Sequence, residues 1–128
     1  MLSCAGSIET PEAPSSERGR ASLSGVLYSY SISCVIPGTV FYLVKRKTNE
    51  HLDLLFGPSA ESGDIRGISD NMGKFVLANI PPGQYYLAVW APYNWILAVE
   101  SPEETKPRLF IIEPNRRYNF GIIYVPWP

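Results

Sequence analysis

One stretch of this sequence, residues 69–90, constrains the fold more than any other because it reads as turn, strand, turn and strand in succession. Asp70, Asn71 and Gly73 favour a tight turn, and the Pro-Pro-Gly run at residues 81–83 favours a second one. Both strands alternate apolar and polar or small residues, which predicts a half-buried β-structure. We therefore predict a β-hairpin that forms half of a two-layered core, with an inward side made of Phe75, Leu77, Tyr85, Leu87 and Val89.

The rest of the chain predicts further short strands and no helix. A chain of 128 residues has room for one domain, and 12 prolines and 10 glycines with only 18% charged residues favour many short elements joined by turns. Regularly spaced strands are typical of a sandwich or a barrel, and we predict an all-β, two-layer antiparallel sandwich of about seven strands. The predicted strands cover residues 23–30, 40–45, 51–56, 74–79, 84–90, 95–100, 108–113 and 118–125, with loops at residues 59–71 and 101–107.

The first 21 residues predict a flexible tether in front of a domain at residues 22–128. Residues 7–21 are polar, rich in Pro and Ser, and without hydrophobic periodicity. The run Leu-Ser-Cys-Ala-Gly at residues 2–6 resembles the end of a bacterial lipoprotein signal, which implies an acylated Cys4, an extracytoplasmic location and contact with a membrane only through the lipid anchor. An unmodified Cys4 in a frayed terminus, or a disulfide between Cys4 and Cys34, stays open.

The central motif also carries a family resemblance. Asp70, Gly73 and Phe75, followed by the Pro-Pro-Gly run and Tyr85, stand in the pattern Asp-x-x-Gly-x-Phe … Pro-Pro-Gly-x-Tyr. This resembles the signature of carboxypeptidase regulatory-like domains, which share the transthyretin (prealbumin-like) sandwich. The resemblance covers about residues 22–125. It implies an accessory β-sandwich module of secreted or surface proteins, and it implies no particular chemistry.

Few residues of this chain point to catalysis or to a metal. His51 is the only histidine, no Gly-x-Ser-x-Gly motif is present, and neither cysteine lies in a recognisable nucleophile context. Four oxygen-bearing side chains could gather around a calcium ion, but turn chemistry explains two of them and their spacing is not that of an EF-hand. We predict a non-enzymatic protein with no cofactor and no metal. The four calcium candidates are Glu61, Asp64, Asp70 and Asn71.

Charge and aromatic residues give the remaining hypotheses on partners. With 11 basic and 12 acidic residues, the chain has no broad field that would attract nucleic acid, and we interpret the basic runs at residues 45–47 and 116–117 as solvated strand ends. Aromatic residues cluster on one predicted strand face and beyond the following turn. They predict a ligand-binding surface for a glycan or other small ligand, or alternatively a structural cross-strand pair of Trp90 with Trp95. The favoured function is a structural or protein-interaction module, and the alternative is a carbohydrate- or small-ligand-binding module that uses Tyr86, Trp90, Tyr93 and Trp95.

Overall fold

A computed structural model of the protein describes residues 8–46, 64–91 and 94–127. Within these ranges the chain forms nine β-strands and no helix, so the all-β prediction is confirmed. The strands are β1 (Ala21–Ser29), β2 (Cys34–Val35), β3 (Val40–Lys45), β4 (Ile65–Ile68), β5 (Lys74–Ile80), β6 (Gly83–Ala91), β7 (Asn94–Leu97), β8 (Phe110–Ile112) and β9 (Arg117–Val125).

The strands form two sheets that pack face to face. In the first, here the β1 sheet, β1 pairs with β2, β5 and β9. In the second, here the β6 sheet, the order is β4-β3-β6-β7, and β8 also pairs with β6. The predicted two-layer sandwich is confirmed, but it is not wholly antiparallel, because β1 and β9 run parallel. Parallel neighbours need a long crossover, and here the whole β6 sheet is formed between the two strands.

The core lies between the sheets and contains the inward side that the central motif predicts. Phe75, Tyr85, Leu87 and Val89 are buried, and Leu77 is half-buried against the core cluster. A ring contact joins the two layers, since Phe41 of β3 and Phe75 of β5 have centroids 4.6 Å apart. Full burial of an aliphatic or aromatic side chain of this size stabilises the fold by about 1.5–3 kcal/mol.

The predicted hairpin is wrong, although both of its strands exist. β5 pairs with β1, whereas β6 pairs with β3, β7 and β8, so the connection at residues 81–82 crosses from one sheet to the other. Neither proline can donate an N–H to a ladder. The buried Tyr85 secures the crossing, because its hydroxyl donates to the Pro81 carbonyl at 2.7 Å. Alternation fixed which side chains face inward, but it could not show which strands pair.

Several strand limits also differ from the predictions. The predicted loop at residues 59–71 contains β4, and the two-residue β2 was not predicted. The strand predicted at residues 95–100 ends at Leu97, and beyond it Val99 bridges Pro107 and Tyr124. The weak strand predicted at residues 51–56 lies outside the described residues.

Gly67 lies inside β4, although glycine in a sequence usually indicates a loop. The reason is that the Phe41 ring lies close to its backbone. Gly67 lies opposite Phe41 in the β3–β4 ladder. A Cβ atom placed on Gly67 would be 2.3 Å from Cζ of the Phe41 ring. The missing side chain therefore makes room for the ring in the core, and the glycine is a packing requirement inside a strand.

Residues 8–20, here called the strap, lie along the outer face of the β1 sheet. Ser22 and Ser24 of β1 point away from the core, yet neither is exposed. Their hydroxyls donate to strap carbonyls, Ser22 to Pro14 and Ser24 to Pro11, the latter at 2.5 Å. Further hydrogen bonds join the strap to β5, β9 and the β8–β9 turn through Asn79, Asn119 and Asn115.

The strap is the larger part of the predicted tether. The flexibility predicted for residues 1–21 stays a prediction, as does the boundary at residue 22, but residues 8–20 are hydrogen-bonded to the sandwich over most of their length. The candidate acylation residue, Cys4, lies outside the described residues.

Candidate functional site

The predicted aromatic surface lies on the outer side of the β6 sheet. Side chains alternate along β6, so Tyr86, Ala88 and Trp90 point away from the core while Tyr85, Leu87 and Val89 fill it. The neighbouring strands add one ring each from the same side. We call this surface the aromatic face, and its members are Tyr42 of β3, Tyr86 and Trp90 of β6, and Trp95 of β7.

Three of the four rings form a continuous ladder across β3, β6 and β7. Trp90 and Trp95 are direct cross-strand partners, with centroids 4.9 Å apart and ring planes tilted by 56°. Trp95 also meets Tyr42, edge to face, at 5.6 Å and 75°. Ala88 lies between Tyr42 and Leu97 in the two ladders and is fully buried. Because Ala88 is small, the Tyr42 ring of β3 and the Trp95 ring of β7, on either side of β6, can meet above it.

The ladder is accessible to a ligand at one end. Trp90 is 44% exposed, and Tyr42, Tyr86 and Trp95 are half-buried. Polar groups border the rings, since the exposed Arg66 of β4 is the cross-strand partner of Tyr42. At the other end of β6, the Arg46 guanidinium donates to Gln84 at 3.2 Å. Aromatic surface beside hydrogen-bonding groups is typical of a binding surface for amphipathic ligands.

The arrangement of the rings suits stacking against a ligand. Each ring has an apolar face, and Tyr hydroxyls and Trp indole N–H groups add polar edges. The planes tilt by 56° and 75° along the ladder, so the rings form a stepped surface in place of a flat one. In the described ranges no three His, Cys, Asp or Glu side chains come together in a way that could hold a metal ion.

The structure brings together some of the predicted site residues and adds one. Trp90 and Trp95 form the predicted cross-strand pair, and Tyr86 lies on the same face opposite Val44. Tyr93 lies outside the described residues. Tyr42 was not predicted, although the alternation of buried Phe41 and Leu43 around it is a readable signal that it faces outward.

Other candidates have structural explanations or fall outside the described ranges. Asp70 accepts the backbone N–H groups of Met72 and Lys74, both at 2.8 Å, so its carboxylate caps the turn. Gly73 completes that turn with φ +77°. His51 and Glu61 lie outside the described residues. The third tryptophan, Trp127, packs half-buried against the core.

Among the residues that the structure describes, Tyr85 and Arg108 have shifted pKa values, and burial is the main cause for each. Burial raises the pKa of Tyr85, and the positive charge of Arg20 partly offsets this rise. Burial lowers the pKa of Arg108, whose guanidinium lies 4.8 Å from the centroid of the Phe110 ring, and the charge of Glu100 opposes the shift. Both groups pack into the sandwich, so their shifts reflect folding.

Cys34 is disulfide-bonded, and Cys4 is the other cysteine of the chain. Nothing in the described part of the chain is a helix long and apolar enough to cross a bilayer.

Comparison with known proteins gives a fold and no family. No protein-family model matches the sequence, and no curated protein matches it. The fold is that of known β-sandwich proteins. A protein of Pseudomonas aeruginosa, provisionally described as carbohydrate-binding, is similar with a TM-score of 0.50 and 15% identity over 91% of this chain and 99% of that one.

Two weaker likenesses are a dioxygenase domain and a pilin. The first belongs to a dioxygenase and carbohydrate-binding fusion of Streptomyces sp. SirexAA-E, with a TM-score of 0.47 and 12% identity over 88% of this chain and 83% of that one. The second is a major pilin of Corynebacterium diphtheriae, with a TM-score of 0.46 and 12% identity over 83% of this chain and 30% of that one. Identities this low carry no functional argument.

Proposed function

We propose that this chain is a non-enzymatic, extracytoplasmic module that binds carbohydrate through the aromatic face. The observation that carries this proposal is the ring ladder of Tyr42, Trp95 and Trp90 on the outer side of the β6 sheet. The apolar C–H faces of a sugar ring stack on aromatic rings, and its hydroxyls take hydrogen bonds from neighbouring polar groups. Arg66, beside Tyr42, supplies such a group.

The shape of the ladder indicates which carbohydrates fit. Its planes are tilted relative to one another, so they match successive rings of one twisted chain better than a flat crystalline surface. Trp90 and Tyr86 are four residues apart on one face of β6, which corresponds to about 13 Å at roughly 3.3 Å per residue. We therefore propose soluble oligosaccharides longer than a monosaccharide as the ligand class.

The likeness to the Pseudomonas aeruginosa protein shows the fold alone, since the two chains are 15% identical. The structural match spans 99% of that protein's chain. Its description as carbohydrate-binding agrees with the proposal. The aromatic face supports the proposal independently of that likeness.

A panel of soluble neutral oligosaccharides tests the proposal. Cello-, xylo-, manno- and chito-oligosaccharides are titrated against the full chain by isothermal calorimetry, with Trp90→Ala as the test variant. Met72→Ala is the matched control, because Met72 is 53% exposed but lies in the turn before β5. We expect at least one series to bind and Trp90→Ala alone to weaken that binding by about tenfold or more, the size of a lost stacking contact. No binding across the panel, or equal loss in both variants, would contradict the proposal.

A second candidate function is protein recognition through the same side of the β6 sheet. Ile68 of β4 and Ile111 of β8 are 50% and 55% exposed. Exposed apolar side chains near exposed aromatics are typical of protein contact surfaces. An Ile68→Ser, Ile111→Ser double variant separates the two functions, since it should leave oligosaccharide binding unchanged but weaken capture of a protein partner.

The disulfide supports the proposed extracytoplasmic location. Disulfides persist in oxidising compartments and are rare in the cytosol, and Cys34 is disulfide-bonded. The lipid anchor at Cys4 stays a prediction. An intrachain Cys4–Cys34 disulfide and a thioether to lipid both use the Cys4 sulfur, so they exclude one another. The intact mass of the protein isolated from its native host, from both the membrane fraction and the medium and with and without reductant, decides between them.

We also propose membership of the carboxypeptidase regulatory-like family. Four residues of the motif that suggests this family have structural roles here. Asp70 caps the turn, Gly73 takes a left-handed φ, Phe75 fills the core, and Tyr85 secures the crossing at Pro81. An alignment of homologues in which these positions vary freely would contradict this assignment.

A further inference from the structure

Three arginines from distant parts of the sequence meet at one end of the sandwich. Arg20 ends the strap, Arg117 is the first residue of β9, and Arg116 directly precedes it. Together with Ser15, Ser16 and Asn115 they line one open cleft of about 180 Å³. The sequence alone predicts that residues 116–117 are a solvated strand end. It gives no sign that Arg20 lies beside them, because Arg20 is nearly a hundred positions away.

Backbone hydrogen bonds hold the two walls of this arginine cleft together. The Asn115 N–H donates to the Arg20 carbonyl at 3.0 Å, and the Ser22 N–H donates to the Arg116 carbonyl at 3.0 Å. On the strap side, the Gly19 N–H donates to Asn115 Oδ1 at 2.7 Å. The backbone segments that carry Arg20, Arg116 and Arg117 are therefore fixed relative to one another.

The chemistry of the cleft is that of hydrogen-bond donors and positive charge. None of its six lining residues is acidic. Ser16 Oγ accepts the Asn79 N–H at 2.9 Å, which leaves its own hydroxyl proton to donate. The nearest ion pair is weak, because Arg116 and Glu113 meet at 3.5 Å with both side chains at least 60% exposed. The whole chain has a net charge of −1, so this cluster is a local concentration of charge.

We propose that the arginine cleft binds a tetrahedral oxyanion with two negative charges, of the phosphate or sulfate type. Guanidinium groups bind such anions through paired, charge-assisted hydrogen bonds. The cleft is smaller than the roughly 300–1,000 Å³ of sites that enclose a drug-sized molecule, so it takes one anionic group and leaves the rest of a larger ligand outside. The site lies at the Gly83 end of β6, away from Trp90, and is independent of the aromatic face.

Anion titrations of the ¹⁵N-labelled full chain, followed by NMR, test this site. Inorganic phosphate, glucose 6-phosphate, sulfate and acetate are compared at constant ionic strength, with sodium chloride as the balancing salt. We expect phosphate and sulfate to give saturable shifts confined to the amides of Ser16, Gly19, Asn115 and their neighbours. Tighter binding of glucose 6-phosphate than of inorganic phosphate would assign the ligand to a phosphate monoester, and the reverse order would assign it to the free anion.

The variants sharpen the same experiment. The double variant Arg20→Gln, Arg117→Gln removes two guanidinium groups of exposed residues that lie outside the core. We expect it to lower the affinity for phosphate and for sulfate by about tenfold or more. Lys106→Gln is the charge-matched control, because the Lys106 side chain is exposed and does not line the cleft. Shifts that do not saturate, equal affinity in the double variant, or acetate binding as tight as sulfate would each contradict the proposed site.

Discussion

Trp90 and Trp95 face each other across β6 and β7 with centroids 4.9 Å apart, and Trp95 alone also contacts Tyr42. Such ring pairs contribute about 0.5–1.5 kcal/mol each beyond the area they bury. We expect Trp95→Ala to lower the free energy of unfolding by about 2–4 kcal/mol and Trp90→Ala by about half of that, because Trp90 is 44% exposed and has one ring partner. Urea denaturation measures both, and equal losses would show that the ladder does not centre on Trp95.

Gly67 and Phe41 give a prediction on packing. A Cβ on residue 67 would overlap the Phe41 ring at 2.3 Å, so Gly67→Ala forces the ring or the strand to move. We expect a loss of about 1–3 kcal/mol in the free energy of unfolding. Phe41→Leu should remove much of this penalty when the two changes are combined, so the double variant should be more stable than additivity of the single losses predicts. Strict additivity would contradict a direct clash.

The hydrogen bonds of Asn79 give a prediction on the strap. Its Oδ1 accepts the Glu17 N–H at 2.8 Å, its own N–H donates to Ser16, and its φ is +58°. Asn79→Gly keeps the left-handed backbone accessible and removes the side-chain acceptor. We expect faster hydrogen exchange at Glu17, with exchange in β6 unchanged and global stability altered by less than about 1 kcal/mol. An unchanged rate at Glu17 would mean that the strap is held elsewhere.

The raised pKa of Tyr85 predicts a loss of stability in alkali. Burial raises this pKa above the 10.0 of an exposed tyrosine. Above about pH 10 the unfolded chain releases the phenolic proton while the folded chain retains it, so stability is complete below that pH and falls as the pH rises towards the folded-state pKa. Tyr85→Phe has no proton to lose. Its urea midpoint should therefore fall less steeply between about pH 9 and pH 11 than that of the natural protein, and parallel curves would contradict this explanation.

The sequence predicted local structure better than it predicted pairing. Alternation placed Phe75, Tyr85, Leu87 and Val89 in the core correctly, since side-chain direction depends only on the strand period. It could not show that β5 and β6 belong to different sheets, because that depends on partners far along the chain. The hairpin was inferred from proximity, and the two prolines between the strands were read as a turn although they carry the chain across the sandwich.

The candidate sites show the same division. The Trp90–Trp95 pair joins neighbouring strands and could be anticipated, whereas Tyr42 joins the aromatic face through β3, over forty residues earlier. Arg20 meets Arg116 and Arg117 only because the strap folds back along β1. Residues that come together through distant strands leave no spacing signal in the sequence, so these contacts required the three-dimensional structure.

The most direct test of the proposed function follows the indole N–H resonances during an oligosaccharide titration. The chain has three tryptophans. Trp90 and Trp95 lie on the aromatic face, and Trp127 packs half-buried against the core, so it is an internal control. With the cello-, xylo-, manno- and chito-oligosaccharide panel, the proposed function predicts saturable shifts of the Trp90 and Trp95 indole signals and a stationary Trp127 signal. Three signals that stay in place throughout, or that move together, would contradict carbohydrate binding by this face.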